Sequence, residues 1–229
     1  MAAPQIGNSL SSNSTPGSNN ITTIFNNIFM SPPSQPGNEM VIVMATMSNA
    51  NGRSFTGATY GGQTMTELYQ QNRAGLSQRM VFYYLEQAPT GSNTLALTFN
   101  GNQFNPVSLH VRSFGDCGGV GASLRTGGQP TPHNGTIIVE EDSLIVMTSC
   151  SVNQILTQEI PTGNNRTFTT HNTNRQVATG AISANTGHLA GGVSLRATST
   201  FGNLTLDRTE IKALSAAPLN QGNMFKLFI

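Results

Sequence analysis

From Ile21 onward, apolar or alternating runs are separated by turn residues at intervals of roughly 8 to 14 positions, the spacing of strands in a sandwich or barrel. The clearest run, Glu39 to Met47, is continuously apolar and bounded by Pro36-Gly37 and Asn51-Gly52, which predicts a strand buried on both faces. Thr64 to Tyr69 and Arg79 to Leu85 read as further strands. Asn93 to Phe99 and Val107 to Phe114 alternate with period two, as half-buried strands do. The second half repeats the style at Ser143 to Cys150, Arg166 to Thr170, Gln176 to Ile182, Val193 to Thr198 and Met224 to Ile229. Nothing longer than one turn has helical periodicity. Gly115 to Gly135, with two glycine pairs and two prolines, reads as a long loop.

Residues 1 to about 20 are a low-complexity run of Asn, Ser, Thr and Gly, which cannot offset its ordering entropy alone. The expectation is an extended polar arm over residues 1–30, ordered against a neighbouring subunit, followed by one β-sandwich domain over 31–229. Asn13, Thr15, Asn20, Ile21, Ile24 and Phe25 are its expected partner contacts.

Composition sharpens this all-β reading. The 229 residues include 11 Lys+Arg and 10 Asp+Glu, so the net charge is +1 and only 9% of positions are charged, against about 25% in ordinary soluble domains. Solubility therefore rests on Asn, Thr, Ser, Gln and backbone. With no basic excess there is no footprint for neutralising phosphates, which argues against nucleic acid. No apolar run approaches the ~18 residues of a membrane-spanning helix, and the first residues have neither the basic start nor the apolar stretch of a secretory signal. Synthesis in the cytoplasm combined with the composition of an exposed extracellular surface fits a component of a virus particle, assembled in the host and released by lysis; an exported protein engineered to lack its signal fits equally well.

Candidate chemistry is sparse. His110, His133, His171 and His188 lie on different elements without metal-ligand spacing. His110, facing away from Leu109 and Val111, reads as a surface or hydrogen-bonded histidine. Glu140-Glu141-Asp142 lacks the alternating donors and glycine of a calcium loop and reads as a solvated turn. There is no Gly-x-Ser-x-Gly elbow and no phosphate loop. Asp116 beside Cys117 raises the thiol pKa rather than activating it, and Cys117 and Cys150 are expected to be reduced. No catalytic, cofactor-binding or metal-binding residue is assigned, and the chain is not expected to be an enzyme.

Val41-Ile42-Val43, then Tyr60-Gly61-Gly62-Gln63-Thr64-Met65-Thr66, then Met80 to Leu85, then Pro89-Thr90-Gly91 leading into Asn93 to Thr98 form a recognisable series. It resembles a family of β-sandwich domains, jelly-roll or Greek-key in style, found in phage virion proteins of capsid decoration, head fibre or tail and in some bacterial surface proteins. The likeness covers about residues 39 to 229, most clearly 39 to 115. It implies a single antiparallel sandwich. The chain departs from the family in having no tryptophan and in its Gly115-Asp116-Cys117-Gly118-Gly119 stretch.

The expected function is that of an accessory capsid protein, a decoration or cement protein. It would bind other virion proteins and further copies of itself, in a small ring such as a trimer, through arm and edges. The alternative is a carbohydrate-binding or adhesion module with loops 115–135, 161–175 and 185–192 as its site. Such a module wants aromatic platforms, and Tyr60, Tyr69, Tyr83 and Tyr84 fall in predicted strands or at a turn.

Overall fold

The structure, a computed structural model, describes residues 4–14, 20–31, 37–47, 53–73, 78–103, 107–128, 133–151, 156–159, 167–174, 179–186, 190–199 and 204–214. Among them every regular element is a strand and every ladder is antiparallel, in keeping with a chain rich in Thr, Val, Phe and Gly and poor in helix formers.

The first strands are β1 (Gln5–Ser14), β2 (Asn20–Met30), β3 (Met40–Met47), β4 (Phe55–Tyr60), β5 (Gln63–Thr64), β6 (Thr66–Arg73), β7 (Gln78–Glu86), β8 (Gly91–Gln103) and β9 (Val107–Gly115). They form an inner sheet ordered β1-β9-β3-β7-β6 and an outer sheet ordered β2-β8-β4-β5. This is jelly-roll wiring, in which the chain passes back and forth between two facing sheets, staying within one sheet only at the β4–β5 and β6–β7 hairpins. Strands β5 and β6 are two parts of one course of chain, broken at Met65, whose N–H bonds Ala58 O at 2.9 Å.

After Asp116 come β10 (Cys117–Gly128), β11 (His133–Val139), β12 (Leu144–Ser151), β13 (Leu156–Glu159), β14 (Thr167–Asn174), β15 (Thr179–Thr186), β16 (Gly191–Ser199) and β17 (Leu204–Ala213). Their inner sheet runs β10-β17-β12-β15-β14 and their outer sheet β11-β16-β13. Substituting β10 for β1, β11 for β2 and so on reproduces the first half strand for strand, apart from β5. Even irregularities recur: β1 shifts register between Ile6 and Ser9, and β10 between Cys117 and Val120, each just after its start. The all-β antiparallel sandwich expected from the sequence is present, and among the described residues its wiring occurs twice in tandem.

The sheets stack as outer, inner, inner, outer. Phe25, Tyr60, Leu95 and Leu97 of the first outer sheet pack on Val41, Val43, Val81, Leu109 and Val111 of its inner sheet. On the other face of that inner sheet, Met40, Ile42, Met44, Phe82 and Phe114 meet Leu144, Val146 and Ile211 of the second inner sheet. Ile145 and Met147, alternating with Leu144 and Val146 along β12, are buried, as are Ile137, Val139 and Val193 of the second outer sheet. Each such side chain contributes roughly 1.5–3 kcal/mol. The joint between halves uses equivalent positions. Phe114 pairs with Met40 in the first half, as Ile211 pairs with Leu144 in the second. Equivalent patches facing each other is the geometry of a two-fold dimer, here built within one chain.

This stacking explains why Met40 to Met47 is apolar throughout: alternate side chains serve different cores. Two expectations are corrected. Val107 to Phe114 is buried on both faces rather than half-buried, because the second jelly roll covers one side of β9; of the two readings of His110, the hydrogen-bonded one holds, since it is buried with Nδ1 3.1 Å from Ser11 Oγ. Gly115 to Gly135 is not a long loop; it contains β10 and the start of β11. Its glycines permit close approach, since a Cβ on Gly118 would collide with the Ala213 carbonyl and one on Gly121 with the Glu210 carboxylate. Within residues 1–30 the described stretches are members of the first half's two sheets. β1 pairs with β9 and β2 with β8, because a polar strand needs only one apolar face and a ladder partner to join a sheet. The predicted strand at Met224 to Ile229 lies outside the described residues.

Candidate interaction surface

The first outer sheet presents a face built without charge: none of β2, β8, β4 or β5 contains Asp, Glu, Lys or Arg. Its middle is a ladder of small side chains, with Ile24 opposite Ala96, Ala96 opposite Thr59, and Thr22 opposite Thr98. Thr98 Oγ1 donates to Gly57 O at 3.1 Å. From this face Ile24 and Phe29 project at 56% and 53% exposure. Their orientation comes from a bulge. Asn27 takes φ 56° and the β2–β8 register shifts between Phe25 and Ile28, so alternation is reset and Phe25, Ile28 and Met30 all still point into the core.

The bulged strand is held by Asn8 of β1. Its Nδ2 donates to Phe29 O at 2.8 Å, and its Oδ1 accepts from Ser31 N and from Ser113 Oγ, both at 2.8 Å. On the opposite end of the stack Ile138 of β11, the counterpart of β2, is 74% exposed. Both outer sheets thus carry a bare aliphatic side chain on the same strand of the repeat.

Of the expected partner contacts, Ile24 is on this face. Asn13 is exposed on β1 and accepts a hydrogen bond from Ser108 Oγ at 3.0 Å. Phe25 is 5% exposed and belongs to the chain's own core, since it alternates with Ile24. Asn20 and Ile21 are members of β2, and Thr15 lies outside the described residues. The exposure of Phe29 and Ile138 is not among the sequence expectations. An apolar residue out of phase with its neighbours, beside Asn26-Asn27 in the case of Phe29, was the available signal.

Elsewhere the polar groups serve the fold. Cys117 is a free, buried thiol whose pKa is pushed up to about 12, first by burial and then by Asp116, Glu86 and Glu39. Arg112, buried between the inner sheets, is brought down to about 10 by burial. Glu141 and Asp142 form the turn between β11 and β12, and the exposed Glu140 pairs with Lys212. Glu210 is buried and accepts from Ala122 N at 3.0 Å and Glu140 N at 2.6 Å, tying β17 to β10 and to that turn. Tyr60, Tyr69 and Tyr83 are buried and offer no platform for a sugar. Among the described residues no group of three or more His, Cys, Asp and Glu is placed to hold a metal ion.

Set against protein-family models, curated proteins and solved structures, the chain matches none.

Proposed function

We propose that the protein is a structural component of a virus particle, an accessory protein that sits on a capsid shell and acts by adhesion. The observation that carries this reading is the charge-free first outer sheet with Ile24 and Phe29 standing out of it. Exposed apolar side chains on a flat, neutral, hydroxyl- and amide-rich face suit contact with a protein surface. The stacked double jelly roll behind it supports such a role, since its packed layers hold the face rigid. A small closed ring of copies would shield the edge strands β1 and β6.

The test is co-sedimentation of the chain with empty particles of its source at low and high salt, beside Ile24→Asp/Phe29→Asp. The expected result is stoichiometric binding that salt barely changes, because no charged pair is involved, and loss of binding in the double variant with its fold intact. Absence of the wild-type chain from particles, or binding that the double variant retains, overturns this reading; retention on a glycan array alone would favour an adhesion module.

A further inference from the structure

Where the two jelly rolls join there is a cavity of about 260 Å³, lined by Gly37, Asn38, Glu39, Glu86, Gln87, Cys117, Gly118, Gly119 and Leu214. Its geometry follows from the junction. Cys117 N donates to Asn38 O at 2.9 Å, so the start of β10 is clamped beside the turn that leads into β3. Asp116, the link between halves, takes φ 55° and accepts from Gln5 Nε2 at 2.9 Å. Gly37 and Gly119 have φ of 95° and 109°, which keeps the wall free of side chains on either side.

Two acidic side chains line this space. Glu39 is only 7% exposed, and one of its oxygens accepts from Gly37 N at 2.7 Å, which fixes the carboxyl in place. Glu86 lies on the exposed rim with Oε1 near Gly119. Among the described residues no Lys, Arg or His pairs with either of them. The cavity beside Glu39 is large enough for a cationic head with several carbons of its stem. Negative potential converges here: Glu39, Glu86 and Asp116 all push the Cys117 thiol upward. The cavity's size and its mixture of two carboxyl groups with backbone suit an organic cation that donates several hydrogen bonds.

We infer that the junction cavity is a binding site for a guanidinium or primary ammonium group, with the buried Glu39 as its anchor and Glu86 as its rim contact. A guanidinium suits the site because its donors fan out in one plane and can serve both carboxyl groups and the neighbouring carbonyls. The group arrives either as a free small amine or as an arginine side chain of a partner protein. The inference stands independently of the proposed place on a particle.

The experiment is titration of the full chain with agmatine, with the blocked peptide acetyl-Gly-Arg-Gly-amide and with calcium chloride, followed by amide NMR shifts and calorimetry. Saturable binding of agmatine or the peptide is expected, with shifts at Gly118 and Gly119. A loss of tenfold or more is expected in Glu39→Gln, which keeps an oxygen for Gly37 N, and a smaller loss in Glu86→Gln. Glu86→Gln, on the exposed rim, keeps the test informative if Glu39→Gln fails to fold. Tighter binding of the peptide assigns the site to a partner's arginine, and tighter binding of agmatine to a free amine. No saturable binding of either compound, binding of calcium alone, or binding that the folded variants leave unchanged overturns the inference.

Discussion

The third strand of the first jelly roll reads Met-Val-Ile-Val-Met-Ala-Thr-Met and that of the second Leu-Ile-Val-Met-Thr-Ser-Cys-Ser. Both occupy the centre of a five-stranded inner sheet, flanked by the last strand and the second-last strand of that inner sheet. The first half holds all four tyrosines and most of the methionines, and the second none and few. In the first half large side chains fill two cores, whereas strands of the second such as Thr-Gly-Ala-Ile-Ser-Ala-Asn-Thr offer small ones. Identical wiring therefore tolerates very different filling. What the halves share is the place where an apolar side chain is required, namely the joint between inner sheets.

The largest effect should come from emptying that joint at equivalent positions. Phe114→Ala is expected to cost about 3–5 kcal/mol and Ile211→Ala about 2–5 kcal/mol. Each should lower the denaturant midpoint of the entire chain, measured by tyrosine fluorescence from the first half and by far-ultraviolet circular dichroism from both. Loss confined to the mutated half would break the equivalence.

Cys117 reports on the same joint. A thiol pushed up to about 12 from 9 exposes far less thiolate at pH 8, on the order of a thousandfold, so its alkylation, read by peptide mass spectrometry, should be much slower than in the unfolded chain. The folded-state pKa is the raised one, so the stability from the protonated, buried thiol is complete below pH 9 and is lost as pH rises from 9 toward 12. Cys117→Ala should flatten that part of the stability profile.

Gly118→Ala forces a methyl group against the Ala213 carbonyl and should cost about 2–3 kcal/mol, seen as a lower melting temperature. Tyr60→Phe removes the hydroxyl that donates to Ile28 O at 3.2 Å and should cost about 1 kcal/mol. The smallest change in stability, about 0.5 kcal/mol or less, is expected for Ile24→Asp, which projects from the outer sheet and should affect adhesion instead.

These differences explain what could be read in the sequence. β3, β7, β8 and β9 stood out because the first half declares burial with Val, Ile, Met and Phe. β10 was mistaken for a loop because its glycines answer a close approach from β17, a partner remote in sequence. β17 itself, Leu-Thr-Leu-Asp-Arg-Thr-Glu-Ile-Lys-Ala, was missed because its charges obscure the alternation, although Glu210 proves to be buried against backbone donors. The duplication was hidden because equivalent strands share which face is covered, while their residues differ. The pairings of β1 with β9 and β2 with β8 were not legible, since nothing in the Ser and Asn content of residues 1–20 names a partner strand. The junction cavity was illegible for a related reason: Glu39, Glu86 and Cys117 meet only after both sandwiches have folded.

The most direct test of the double jelly roll packed through equivalent inner sheets is calorimetric unfolding of the intact chain, with the calorimetric enthalpy compared with the van't Hoff enthalpy. A shared core predicts one cooperative transition with the two enthalpies equal, shifted as a whole by either Phe114→Ala or Ile211→Ala. Two separable transitions, each moved by only one of these substitutions, would contradict it.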